Sequence, residues 1–175
     1  MPEFDVDPLS RRRLTLFAGA AFVVASATIL TAWGFELIGG YMPCPLCLEQ
    51  RVPYYLGIPI ALAAVWLASV GRVRASRVLL FGFAAMMAYG FYLGVYQAGA
   101  EWGFWAGPTD CATADTSVRS AGTLLETLSQ TRVVSCTEPA LRVLGLSFAG
   151  WNAVMSAVLA LIGAVGALGG RTRAR

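Results

Sequence analysis

Leu14-Thr15-Leu16-Phe17-Ala18-Gly19-Ala20-Ala21-Phe22-Val23-Val24-Ala25-Ser26-Ala27-Thr28-Ile29-Leu30-Thr31-Ala32-Trp33-Gly34-Phe35 runs for 22 residues without a charge, between Arg13 and Glu36. The hydrocarbon core of a bilayer is about 30 Å thick, and an α-helix rising 1.5 Å per residue needs about 20 apolar residues to cross it. The stretch reads as a membrane span. Three more runs follow, of 20 residues between Arg51 and Arg72, 23 between Arg77 and Glu101, and 28 between Arg142 and Arg171. Together the four occupy 93 of 175 positions. The expected fold is all-α: a single integral membrane domain over 1–175, a four-helix bundle with spans at about 14–35, 53–71, 78–97 and 146–168.

Composition agrees with this reading. The chain is 57% hydrophobic and 13% charged, with mean hydropathy +0.64, where an average soluble domain is about 25% charged. It contains no His. That removes His–Asp triads, His general bases, HExxH metal sites and His-ligated haem. Any chemistry falls to the four Cys, the acids, the Arg residues or a bound cofactor.

Arginine placement sets an expected orientation. All 13 basic residues are Arg. Arg11, Arg12 and Arg13 precede the first span, Arg72, Arg74 and Arg77 fill the turn between the second and third, and Arg171, Arg173 and Arg175 end the chain. By the positive-inside rule that side is cytoplasmic. The expectation is two cytoplasmic termini and two outer loops, at about 36–52 and 98–145. The first run also has the parts of a signal peptide, basic residues followed by an apolar run and Ala25-Ser26-Ala27. Its greater length and its passage into Trp33 and Phe35 favour a retained span.

All four cysteines then fall on the outer, oxidising side, where disulfides persist. Cys44 and Cys47 stand two residues apart at the start of the second span. A disulfide across so short a ring constrains little of the unfolded chain, so the spacing suits redox chemistry better than stapling. With a helix beginning near Pro45, Cys47 and Arg51 are four apart on one face. The guanidinium and the helix N-terminus would both favour a thiolate at Cys47. A staple closing a large loop is one reading of Cys111 and Cys136, 25 residues apart in the second loop; redox exchange between the two pairs is the favoured one. Between them Val118, Ala121, Leu124, Leu125 and Leu128 recur at helical spacing; such a helix either lies on the membrane surface or packs on the ends of the spans. A four-Cys zinc site is disfavoured, because only one close pair exists and its compartment oxidises thiols. No metal and no nucleic-acid partner are expected.

The run Pro43-Cys44-Pro45-Leu46-Cys47-Leu48-Glu49-Gln50-Arg51, the four spans and the separated pair Cys111 and Cys136 together resemble the DsbB family of bacterial inner-membrane thiol oxidases. Tyr96-Gln97-Ala98-Gly99-Ala100-Glu101-Trp102 and Leu144-Gly145-Leu146-Ser147 with Trp151 extend the resemblance over essentially the whole chain. It implies a thiol:quinone oxidoreductase that reoxidises a periplasmic DsbA-type dithiol oxidase. In that scheme Cys111 forms the mixed disulfide with the partner, Cys136 attacks Cys44, and Cys47 is freed as a thiolate beside a quinone supported by Arg51. Whether ubiquinone or menaquinone is drawn from the membrane pool is not written in the sequence. Many members carry a His where this chain has Gln97, which is expected either to offer an amide hydrogen bond or to face the headgroups.

Other conspicuous residues read as scaffold. Trp33, Tyr41, Tyr54, Tyr55, Trp102 and Trp105 suit interface anchors; Gly82, Gly90 and Gly94 suit close helix packing; Pro59 suits a tolerated kink; and Glu36 sits at the outer edge of its span. Two rival readings accompany the oxidoreductase. The vitamin K epoxide reductase type places its Cys-x-x-Cys after the loop cysteines rather than before them, and a four-span scaffold protein would use its disulfides only structurally.

Overall fold

The computed structural model describes residues 8–107 and 139–169. Within them lie α1 (Pro8–Leu37), α2 (Pro45–Glu49), α3 (Val52–Ser69), α4 (Val73–Glu101), β1 (Arg142–Val143), β2 (Leu146–Ser147) and α5 (Phe148–Leu168). Four helical stretches are long and apolar enough to cross a membrane: α1, α2 with α3, α4 and α5. α1 and α4 extend beyond the charge-free runs, because Arg and Ser do not oppose helix continuation and the backbone propagates once nucleated.

The second span has a break near its start, and proline explains it. Pro45 opens α2, where its missing N–H costs nothing. Pro53 in the first turn of α3 cannot donate back to the Glu49 carbonyl, so regular bonding lapses over Gln50 and Arg51. Further along, α3 passes through Pro59 without interruption. At the other end of the chain β1 and β2 form an antiparallel hairpin, with Arg142 opposite Ser147 and Val143 opposite Leu146. Its turn places Leu144 at φ 53° and Gly145 at φ 86°, the left-handed pair that a two-residue hairpin requires. Ser147 then caps α5, its Oγ accepting from the Gly150 N–H at 3.2 Å.

Packing runs around a ring in which α1 meets α3, α3 meets α4, α4 meets α5 and α5 meets α1. Small residues set the approach. Ala18, Ala21 and Ala25 of α1 and Ala61, Ala64 and Ala68 of α3 are fully buried, as close backbone contact in a membrane bundle demands. Large side chains fill the middle, with Phe83, Met87, Leu80 and Leu159 inaccessible. The outer surface is apolar instead: Leu16, Leu30, Leu62, Trp66, Phe81 and Leu161 are each more than half exposed, the pattern of a protein whose solvent is lipid.

The glycines divide. A Cβ at Gly94 would lie 2.8 Å from the Ala153 backbone nitrogen, and one at Gly90 would lie 3.1 Å from the Ser156 Oγ, so α4 and α5 touch there through missing side chains. Gly82, expected to do the same, has nothing within 4 Å; it points away from the helix contact. Tyr54 also departs from expectation. It is 2% exposed and turned into the bundle, where its hydroxyl donates to Asn152 Oδ1 at 2.9 Å. Trp33 and Tyr55 remain at the surface, the indole Nε1 donating to the phenol oxygen at 3.0 Å.

Candidate redox site

The site begins at the N-terminus of α2. Cys44 is the N-cap residue, with extended backbone (φ −74°, ψ 164°), and its Sγ accepts from the Cys47 N–H at 3.3 Å. One helical turn brings the two side chains together, the Cys44 Sγ donating to the Cys47 Sγ at 2.8 Å. Cys44 is 3% exposed and packs with Leu46 and Leu93. Its thiol is pushed far above the ordinary range, first because its proton is shared with the Cys47 sulfur and then because burial penalises the charged form. Cys44 is thus the sulfur of the pair that holds its proton.

The groups around that sulfur come from distant parts of the chain. Gln97, near the end of α4 and 3% exposed, donates from Nε2 to the Cys47 Sγ at 3.3 Å and to the Cys44 Sγ at 3.5 Å. The same nitrogen reaches Glu101 Oε1 at 3.4 Å, while Gln97 Oε1 accepts from Gln50 Nε2 at 2.6 Å. Gln97 is thus a contact of the cysteines, not a headgroup-facing residue. Gln50 Oε1 in turn accepts from Asn152 Nδ2 of α5 at 2.7 Å.

Arg51 lines the same cavity as Cys47 and pairs there with a carboxylate. Its Nη1 donates to Glu36 Oε2 at 2.5 Å, across from the end of α1. The two side chains are 12% and 32% exposed, so Glu36, read as an outer-edge bystander, is the ion-pair partner of the motif arginine. Between Cys47 and Arg51 the bonding tightens, the Arg51 N–H donating to the Leu48 carbonyl at 3.0 Å, while Gln50 and Arg51 keep helical dihedrals.

These residues share one cavity of about 530 Å³. Cys44, Cys47, Gln50, Arg51, Gln97 and Glu101 form its polar end. Val23, Ala27 and Thr31 of α1 and Met155 of α5 form an apolar trough leading away from them. Phe35, Tyr41 and Phe148 close one side as a cluster of rings with centroids 5.0 to 6.3 Å apart. Cys111 and Cys136 lie outside the described residues, as does the helical pattern at 118–128. Sequence reasoning missed Gln50, Asn152 and Tyr54 as members of the site. Their only signal was polarity within or beside apolar runs, which in a bilayer marks an inward-facing group.

The family model described as Disulfide bond formation protein DsbB matches residues 12–166. The chain is also similar to Uncharacterized protein RP370 of Rickettsia prowazekii (strain Madrid E), with 26% identity over 141 residues, covering 78% of this chain and 77% of that protein. No solved structure matches the chain.

Proposed function

The chain belongs to the DsbB family of disulfide bond formation proteins, and on that premise we propose that it reoxidises a periplasmic DsbA-type dithiol oxidase and passes the electrons to a membrane quinone. The observation that carries this reading is the cysteine pair at the polar end of a largely apolar cavity lined by the long apolar helices, with hydrogen-bond donors gathered on the Cys47 sulfur. A staple would need no such cavity and no such donors.

In the proposed sequence a thiolate of the reduced partner attacks the Cys111–Cys136 disulfide at Cys111, and the partner's second thiol displaces Cys111 and leaves oxidised. Cys136 then attacks Cys44 of a Cys44–Cys47 disulfide, and the electron pair of the broken S–S bond goes to Cys47. Thiol exchange is faster when the leaving thiolate is stabilised. Here the Cys47 thiolate would receive the Gln97 amide, the Cys44 thiol once Cys44 is released by Cys111, and the N-terminal dipole of α2.

The cavity fits a quinone. Its volume lies within the range of small-molecule sites, its trough is apolar, and Arg51 stands as a donor at its polar end. Arg51 would hold the head, and Val23, Ala27 and Met155 would line the prenyl side. When bound, the quinone supplies the two-electron oxidant that restores the Cys44–Cys47 disulfide. The chain's own residues orient it, exclude water and keep the charge on Cys47.

Full-length protein, purified and supplied with quinone and a reduced DsbA-type oxidase, is expected to oxidise that partner catalytically, and Cys111→Ser is expected to abolish turnover. Turnover by the Cys111→Ser protein at the wild-type rate would move the entry point elsewhere. No turnover by the wild-type protein would leave the scaffold reading in its place.

A further inference from the structure

We propose that Asn152 is a positioning residue for the cysteine pair: acting through Gln50, it fixes the amide of Gln97 with its donor edge on the Cys47 sulfur. The inference rests on the reading of Cys47 as the thiolate that gives up electrons. It concerns how a chain without His holds that thiolate ready.

The hydrogen bonds run one way. Ser156 Oγ and Tyr54 Oη lie 3.0 Å apart; the phenol donates to Asn152 Oδ1 at 2.9 Å; Asn152 Nδ2 donates to Gln50 Oε1 at 2.7 Å; Gln50 Nε2 donates to Gln97 Oε1 at 2.6 Å; and Gln97 Nε2 donates to Cys47 Sγ at 3.3 Å. With the phenol proton committed to Asn152, the Ser156 hydroxyl is left to donate to Tyr54. Every donor in the chain therefore points toward the sulfur, and polarised chains of this kind strengthen their last bond.

Such an order is not automatic. A carboxamide turned by 180° has nearly the same shape, but it would exchange the N–H at 3.3 Å from the Cys47 sulfur for the oxygen, which now stands farther off, accepting from the protonated Cys47 thiol at 3.7 Å. A group that can only accept must break the tie, and a backbone carbonyl does so. The Gly90 carbonyl lies 3.4 Å from Asn152 Nδ2; a reversed Asn152 would set oxygen against oxygen there. That carbonyl belongs to α4 where the missing Cβ at Gly90 lets α5 come close. At the far end Glu101 Oε1 accepts from Gln97 Nε2 and favours the same orientation. Gln50 touches neither acceptor and takes its direction from Asn152. Amide links pass protons poorly, so the chain acts by electrostatics and not as a proton wire. The charged groups lining the same cavity are Glu101 of α4 and the Arg51–Glu36 pair, and none of them hydrogen-bonds the Cys47 sulfur.

The test measures the thiolate directly. Reduced full-length protein in nanodiscs is alkylated with iodoacetamide across a range of pH, and the rate at Cys47 is read by mass spectrometry of its peptide. Asn152→Leu is expected to weaken thiolate stabilisation about tenfold, moving the rate profile up by about one pH unit. Tyr54→Phe, which removes only the lock on Asn152 Oδ1, is expected to move it less and in the same direction. Ser76→Ala deletes a buried hydroxyl that bonds the Ala64 carbonyl elsewhere in the bundle, and should leave the profile in place. An unmoved profile in folded Asn152→Leu protein overturns the proposal. If that variant does not fold, an unmoved profile in Tyr54→Phe does so. The measurement uses neither quinone nor partner, so a moved profile in a protein without turnover would support the positioning role while counting against the electron path.

Discussion

Arg51 and Glu36 hold each other across the polar end of the cavity. Neither is deeply enough buried for the pair to count as a large stabiliser, since exposed and half-exposed ion pairs contribute about 0–1 kcal/mol. Its consequence is directional: the guanidinium is held at the mouth of the apolar trough, a planar fork of donors with a fixed charge. Arg51→Ala is expected to raise the apparent KM for quinone about tenfold or more, the magnitude of losing one hydrogen bond from a charged donor. Single-turnover exchange between the reduced partner and the oxidised protein should be unaffected. An unchanged KM would remove Arg51 from the quinone site. The motif arginine was recognisable from its distance to the cysteines, but its partner was not. Glu36 lies 15 positions away, and no pattern along the chain couples the end of one span to the start of the next.

Among the elements, the contact between α4 and α5 organises the site, because it brings Gln97 and Asn152 to the same depth on either side of Gln50. Both helices lack bulk where they meet. Gly94→Ala would place a methyl group 2.8 Å from the Ala153 nitrogen and 3.0 Å from its Cα, both backbone atoms that cannot step aside. Overpacking of this kind costs about 1–3 kcal/mol. Thermal unfolding in detergent should show Gly94→Ala melting earlier than the parent, and Gly82→Ala, with open space around it, melting no earlier. Equal melting of the two would contradict the close approach. Small residues at helical spacing announced a packing face, yet the sequence held three candidate glycines on α4 and could not say which two faced a neighbour. That depends on helix phase, which tertiary contact decides.

The molecule as a whole is a multi-pass membrane protein, apolar outside, with the buried Gln50, Gln97 and Ser147 toward one end of the bundle and the buried Ser76 toward the other. The arginine distribution predicts which face meets the cytoplasm. Ile38, at the end of α1 and 91% exposed, should then lie outside, and Ala75, exposed in the first turn of α4, should lie inside. In a cysteine-free background, Ile38→Cys is expected to react with a membrane-impermeant maleimide in intact spheroplasts, and Ala75→Cys only after lysis. The reverse pattern would invert the protein and put its cysteines on the reducing side, where the proposed chemistry has no oxidising partner.

Four helices long and apolar enough to cross a membrane, and a close cysteine pair at the start of the second, were legible from order along the chain. Apolar length and the spacing of cysteines are one-dimensional properties, and the bilayer imposes the rest through the cost of leaving backbone groups unpaired in hydrocarbon. The partners of the cysteines did not follow. Gln97 is 50 residues from Cys47, and Asn152 is 102 from Gln50. Their convergence required the proline break before α3 and the glycine contact between α4 and α5. Hydrogen bonds depend on angle and ångström-level distance, and only the packed bundle sets those.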